Sequence, residues 1–132
     1  MHRFLEHTAD AFLEAKARTF TAAVKDAVDG TFGLIGKGKK EEAEFEIHAS
    51  ADELPRLIVK LLETLVVECE LKKISPIRVE ILEADEEKKI VRAKIHGEKK
   101  PPKNVIKAVT YHNLEVSQKK DGTWEAIVLF DI

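Results

Sequence analysis

Two stretches of the chain carry apolar residues at helical spacing. From Thr19 onward they fall at Phe20, Ala23, Val24, Ala27, Val28, Thr31, Phe32 and Ile35. Steps of three and four put these on one stripe of an amphipathic helix, with Thr19 as its N-cap. Gly30 lies inside that helix and weakens it by about 1 kcal/mol relative to alanine. Gly33, Gly36 and Gly38 mark its end, and Lys37 to Glu42 reads as a polar loop. These glycines do not form a phosphate loop, because the helix precedes them and the Walker spacing is absent. The second stretch contains Leu54, Leu57, Ile58, Leu61, Leu62, Leu65, Val66 and Cys69. It predicts a helix over about Ala51 to Glu70, and its broad apolar face needs a cover. Ser50-Ala51-Asp52-Glu53 reads as a capping box, with Ser50 as cap and Glu53 reaching back. Pro55 then falls in the first turn, where its missing N–H costs nothing.

Between and after the helices the period drops to two. Arg3 to His7 and Phe12 to Ala17 read as a strand, a bend and a strand, with Asp10 at the second strand's start. Ala43, Phe45, Ile47 and Ala49 alternate with Glu42, Glu44, Glu46 and His48, giving a half-buried strand with an acidic, solvated outer face. Ile77 to Glu83 and Ile90 to Gly97 are two further strands, joined by a turn at Asp85-Glu86-Glu87. Pro101 and Pro102 keep the next stretch out of any central strand. The chain then closes with two β-branched and aromatic runs, Val105 to Val116 and Thr123 to Ile132, around Asp121-Gly122, which is a hairpin signal. This order predicts a single α+β domain over residues 1–132, with two amphipathic helices packed on mostly antiparallel β-sheet.

Composition narrows the function classes. The chain has 132 residues, 44% hydrophobic and 35% charged, with a net charge of −2. That suits a globular domain and argues against a dedicated nucleic-acid or membrane-surface binder. Lysines come in short sets, at Lys37, Lys39 and Lys40; Lys72 and Lys73; Lys88 and Lys89; Lys99, Lys100 and Lys103; and Lys119 and Lys120. Each set falls in a predicted turn and reads as a solvated turn rather than a basic groove. The single cysteine, Cys69, excludes an internal disulfide and a cysteine-based zinc site, and its place on the apolar stripe makes it a small packed hydrophobe. The first 15 residues lack the sustained apolar run of a signal peptide, and no stretch is long enough to span a bilayer. A reduced, cytoplasmic protein is the expectation.

The histidines, His2, His7, His48, His96 and His112, have no zincin or zinc-finger spacing. No serine lies in a nucleophile elbow, so a nucleophilic hydrolase has no support. Asp10 and Asp131 differ from the other acids because they stand at the ends of apolar strands. If the first and last strands are neighbours, Asp10, Asp131 and the α-carboxylate of Ile132 supply three oxygen groups, the ligand type a hard divalent cation takes. Surface caps or salt bridges are the plainer alternative.

Two motifs carry a family resemblance. Leu5-Glu6-His7-Thr8-Ala9-Asp10 resembles the opening motif of the archease family, and Ile106 to Val116 with the closing Phe130-Asp131-Ile132 resembles its C-terminal signature. The similarity spans nearly the whole chain. It implies an accessory protein rather than an enzyme, one that promotes guanylylation and multiple turnover of an RtcB-type GTP-dependent RNA ligase in tRNA splicing and RNA repair. It also implies a divalent metal, calcium in that family, held by Asp10, Asp131 and the main-chain carboxylate of Ile132. Glu6, His7, Thr8, Lys107, Thr110, Tyr111 and His112 match motif positions and are expected as site neighbours. His7 and His112 read equally well as core histidines, and Tyr111 as a packed strand residue with its hydroxyl paired. The chain departs from the family pattern at Ala11-Phe12-Leu13, where a glycine-containing stretch is usual. It also has a short loop at Glu98 to Asn104 and Asn113 in place of a common glycine. Outside the resemblance, a metal-dependent phosphoester hydrolase is the runner-up. A general RNA-binding or chaperone-like module is weaker, since strong direct nucleic-acid binding is not expected at this net charge.

Overall fold

The first and last long strands of the chain are neighbours. In a computed structural model, which describes residues 2–5 and 10–132 apart from the side chains of residues 3–5, 10, 112 and 113, seven strands form two antiparallel sheets. The order along the chain is β1 (His2–Leu5), β2 (Asp10–Ala17), α1 (Phe20–Ile35), β3 (Ala43–Ser50), α2 (Leu54–Lys72), β4 (Ser75–Asp85), β5 (Ile90–Glu98), β6 (Ala108–Gln118) and β7 (Trp124–Asp131). One sheet has the order β1-β2-β7-β6 and the other β3-β5-β4. Helix α1 packs on β2 of the first sheet and β4 of the second, while α2 packs on β6 and β3. Each helix therefore fastens both sheets, and one hydrophobic cluster runs through all of them. This is the expected α+β class.

The helical stripes bury as their spacing predicts. Every position of the α1 stripe is buried, and Thr19 Oγ1 accepts the Ala22 N–H at 3.1 Å, completing the N-cap. Gly30 has a packing reason. A Cβ there would lie 2.7 Å from Leu13 Cδ1 and 3.1 Å from the His2 ring, so only glycine lets α1 settle this close to β2. In α2, Leu57, Ile58, Leu61, Leu62, Leu65 and Cys69 are buried, while Leu54 and Val66 of the predicted stripe are half-buried. Burial pushes the Cys69 thiol up to about 12, so it packs as an inert apolar group.

The capping box does not form. Ser50 remains in β3 opposite Ile90, and the Ala51 N–H donates to the Lys89 carbonyl at 3.2 Å. This pairing keeps the chain extended past Ser50, so α2 starts at Leu54 with Glu53 as an N-cap that makes no side-chain cap bond. At the other end Lys73 adopts the left-handed conformation, φ 55°, and its N–H and that of Ile74 both return to the Cys69 carbonyl.

The closing hairpin turns at Asp121-Gly122 as expected, through a three-residue loop. Gly122 N–H donates to the Lys119 carbonyl, Lys119 N–H donates to the Thr123 carbonyl, and Gly122 takes φ 90°. This is a type I turn closed by a glycine bulge. The Asp121 carboxylate accepts the Thr123 N–H at 2.9 Å, which holds its carboxyl below the usual range. Among the described residues no helix is long and apolar enough to cross a membrane.

Candidate metal corner

The corner is built by strand register. β2 and β7 pair along their full length, from Ala17 opposite Trp124 to Asp10 opposite Asp131. Direct cross-strand partners in an antiparallel pair share one face, with Cβ positions roughly 5 Å apart. The register holds because Leu13 and Ala15 on β2, and Ala126, Val128 and Phe130 on β7, are all buried, and a one-residue slip would turn each of them out. β6 closes the other side. Ala108 stands opposite Asp131, and the Lys107 N–H donates to the Asp131 carbonyl at 2.8 Å. Asp131 is half-buried, with paired strands on both sides. Ile132 is 45% exposed and shares a cleft with Leu34, Lys103 and Ile106.

Two of the expected metal ligands, Asp10 and Asp131, are thus adjacent through backbone pairing, and Ile132 follows directly. The donor set is all oxygen, which suits a hard cation such as Ca²⁺ or Mg²⁺ rather than a thiolate-seeking metal. Among the described residues no three His, Cys, Asp or Glu side chains cluster at metal-binding distance elsewhere, so the structure offers no rival centre there.

The proposed neighbours divide. Lys107 is placed at the corner by its N–H bond to Asp131. Thr110 lies opposite Leu129, two residues beyond Ala108 on β6. Immediately after Thr110 the register shifts. Pairing resumes at Glu115 opposite Ile127, so residues 111–114 stand against Val128 alone. A bulge of this kind re-aims side chains and commonly sits beside a functional site. It also corrects the expectation for Tyr111. That residue is not packed in a strand face but is 55% exposed, because the shift carries it off the sheet's regular alternation. Glu6, His7 and Thr8, and the side chains of Asp10 and His112, lie outside the described residues.

Other polar features were not singled out in the sequence. Glu14 is buried on β2, paired with Lys16 Nζ at 3.2 Å, which also reaches Glu125 at 3.7 Å. On the outer face of the second sheet His96 bonds Glu80 through Nε2 and lies 3.5 Å from Glu44, while Arg78 binds Glu41 at 3.0 Å. The His96 bond holds the Glu80 carboxyl below its ordinary value, and the Arg78 bond does the same for Glu41. Only the alternating acids of β3 hinted at this network.

Comparison with known proteins agrees with the two motifs. Residues 2–132 match the archease protein family. The chain is 33% identical over 141 residues to the protein archease of Methanosarcina acetivorans, covering 99% of this chain and 95% of that one. It is 30% identical over 136 residues to the protein archease of Pyrococcus furiosus, covering 96% and 95%. Two solved structures share the fold at 22% identity. A Thermotoga maritima crystal structure described as an archease and possible chaperone superposes with a TM-score of 0.70, covering 100% of this chain and 98% of that one. A Methanobacterium thermoautotrophicum solution structure gives 0.73, covering 99% and 98%. With both motifs in order and the whole length matched, this chain belongs to the archease family.

Proposed function

We propose that this protein is a metal-binding accessory factor of an RtcB-type GTP-dependent RNA ligase, working in tRNA splicing and RNA repair by promoting ligase guanylylation and multiple turnover. The observation that supports this reading is the direct pairing of Asp10 with Asp131 at the joined ends of β2 and β7. Asp10, Asp131 and the main-chain carboxylate of Ile132 would hold a divalent cation, calcium by analogy with the family. When bound, such a cation supplies a hard Lewis-acid centre for phosphate oxygens. The chain's own contribution is positional. β7 lies between β2 and β6, so Asp131 is fixed from both sides, and the Lys107 N–H holds its carbonyl. The exposed Ile132 leaves the corner open to a partner surface.

The test is a multiple-turnover RNA ligation assay. It uses the RtcB-type ligase from the same source, GTP and Mn²⁺, with wild-type protein or the Asp10→Ala and Asp131→Ala variants. Wild type raises turnover. Each variant, with unchanged circular dichroism, loses that stimulation by about tenfold or more, since loss of even an outer-shell partner of a metal ligand costs about 10–100-fold. Full stimulation by folded Asp131→Ala would remove the corner from the mechanism. No stimulation by wild type would remove the ligase reading itself.

A further inference from the structure

Three lysine sets that are far apart in sequence meet at one end of the molecule. The loops concerned are 36–42, after α1; 73–74, after α2; and 99–107, after β5. They are stitched together by their backbones. Gly38 N–H donates to the Pro76 carbonyl at 3.2 Å, and Glu42 N–H to the Gly97 carbonyl at 2.9 Å. Ser75 Oγ donates to the Lys100 carbonyl at 2.9 Å. Asn104 donates its N–H to the Ile35 carbonyl and its side-chain amide to the Leu34 carbonyl, which fixes the third loop to the end of α1. The approach is too close for side chains. A Cβ on Gly38 would come within 2.7 Å of the Ser75 carbonyl oxygen, and one on Gly97 within 2.5 Å of it.

These loops present Lys39, Lys40, Lys73, Lys99, Lys100 and Lys103, all exposed and none in an ion pair among the described residues. Two neighbouring lysines are paired instead, Lys37 of the first loop with Asp29 at 3.5 Å and Lys72 with Glu68 at 3.4 Å. The acids within the patch keep their charge but are outnumbered, three against these six exposed lysines. Glu98 accepts the Lys39 N–H, Glu42 the Lys99 N–H, and Glu41 binds Arg78. The result is a concentration of positive charge on a chain whose net charge is −2.

We infer that this lysine end binds the phosphate backbone of a nucleic-acid strand, independently of sequence. The side-chain chemistry selects that ligand. Lysine is a compact point charge suited to phosphate, and neutralising phosphates releases counterions. The three loops carry no aromatic side chain on which a base could stack and no arginine to fork onto a base edge. An acidic protein partner fits less well, because protein interfaces need an apolar centre and are depleted in lysine. The patch is also connected to the metal corner, since Lys103 and Ile132 line the same cleft. The inference does not rest on the ligase reading, and its test contains no ligase.

The experiment is fluorescence anisotropy of a labelled single-stranded RNA of about 20 nucleotides, titrated with the purified protein between about 50 and 200 mM KCl. Two triple variants of equal net charge are compared, Lys39→Gln/Lys99→Gln/Lys100→Gln in the patch and Lys25→Gln/Lys88→Gln/Lys120→Gln elsewhere. Wild type binds with an affinity that falls with salt. The patch variant binds about tenfold more weakly and its log–log salt slope is shallower by about 2, from three lost phosphate contacts at roughly 0.7 each. The second variant stays within about twofold of wild type. Equal weakening by both variants, absence of binding at the lowest salt, or a salt-independent affinity would each overturn the inference. Competition by poly-glutamate as effective as by unlabelled RNA would also overturn it, in favour of an acidic polypeptide.

Discussion

Replacing Gly30 with alanine sets two opposed effects against each other. Inside a helix the change relieves backbone entropy worth about 1 kcal/mol. In this fold it also drives a methyl to 2.7 Å from Leu13 Cδ1 and 3.1 Å from the His2 ring. Leu13 is fully buried and cannot swing into solvent, and His2 is held by Asp26 at 2.9 Å. Overpacking of this kind costs about 1–3 kcal/mol, and a neighbour with no room to move places the cost in the upper half of that range. The net effect is a loss of about 1 kcal/mol, despite better helix propensity. Urea unfolding followed through Trp124 reads it directly, since that indole is buried edge-on against Phe20 of α1 at 5.3 Å. With a slope of about 2 kcal/mol/M, the midpoint falls by about 0.5 M. The same substitution in a Leu13→Ala background meets no isobutyl group and becomes neutral or stabilising, so the double-mutant cycle shows coupling of at least about 1 kcal/mol. A midpoint that rises in the wild-type background, or a coupling near zero, would refute the reasoning.

Other outcomes follow from single features. Lys73 closes α2 in the left-handed conformation, which costs a non-glycine residue about 1 kcal/mol, so Lys73→Gly raises the thermal midpoint by several degrees. An unchanged or lower midpoint would show that the lysine is not strained. Glu80 is held below its ordinary value of 4.5 chiefly by its bond to His96, so its contribution to stability is present above that value and is lost as pH falls through the lowered one. In His96→Gln the Glu80 carboxyl resonance therefore titrates at higher pH than in wild type, and coincident titrations would dismiss His96 as the cause.

Much of the fold was written in the spacing of apolar residues. The α1 stripe from Phe20 to Ile35, the Thr19 cap and the Asp121-Gly122 turn depend on neighbours within a few positions, so local chemistry decides them. The Ser50 capping box failed because a distant strand intervened, with Ile90 and Lys89 holding the cap residues extended. At the corner, Asp10 and Asp131 were legible as strand-end acids, but their direct register was conditional on strand order, which no local pattern encodes. The bulge at residues 111–114 was hidden for a related reason. Thr110 to Val116 reads as continuous β-forming sequence, and the slip exists only relative to β7. The lysine sets read as separate solvated turns because nothing in a one-dimensional pattern reveals that Gly38 and Gly97 both press on the Ser75 carbonyl.

The pairing of β2 with β7 also orders the events of folding. Hairpins β4–β5 and β6–β7 join strands that follow one another in the chain, so they can close quickly and early. The β2–β7 ladder must bring Asp10 to Asp131, a closure across almost the entire chain, with its entropy lost before any contact repays it. It is therefore a late step, and partly folded states can hold much native structure without it. The two acids meet only in molecules that have completed the ladder. In the proposed metal-binding role, cation affinity at that corner would act as a proofreading readout, separating finished molecules from compact but incomplete ones.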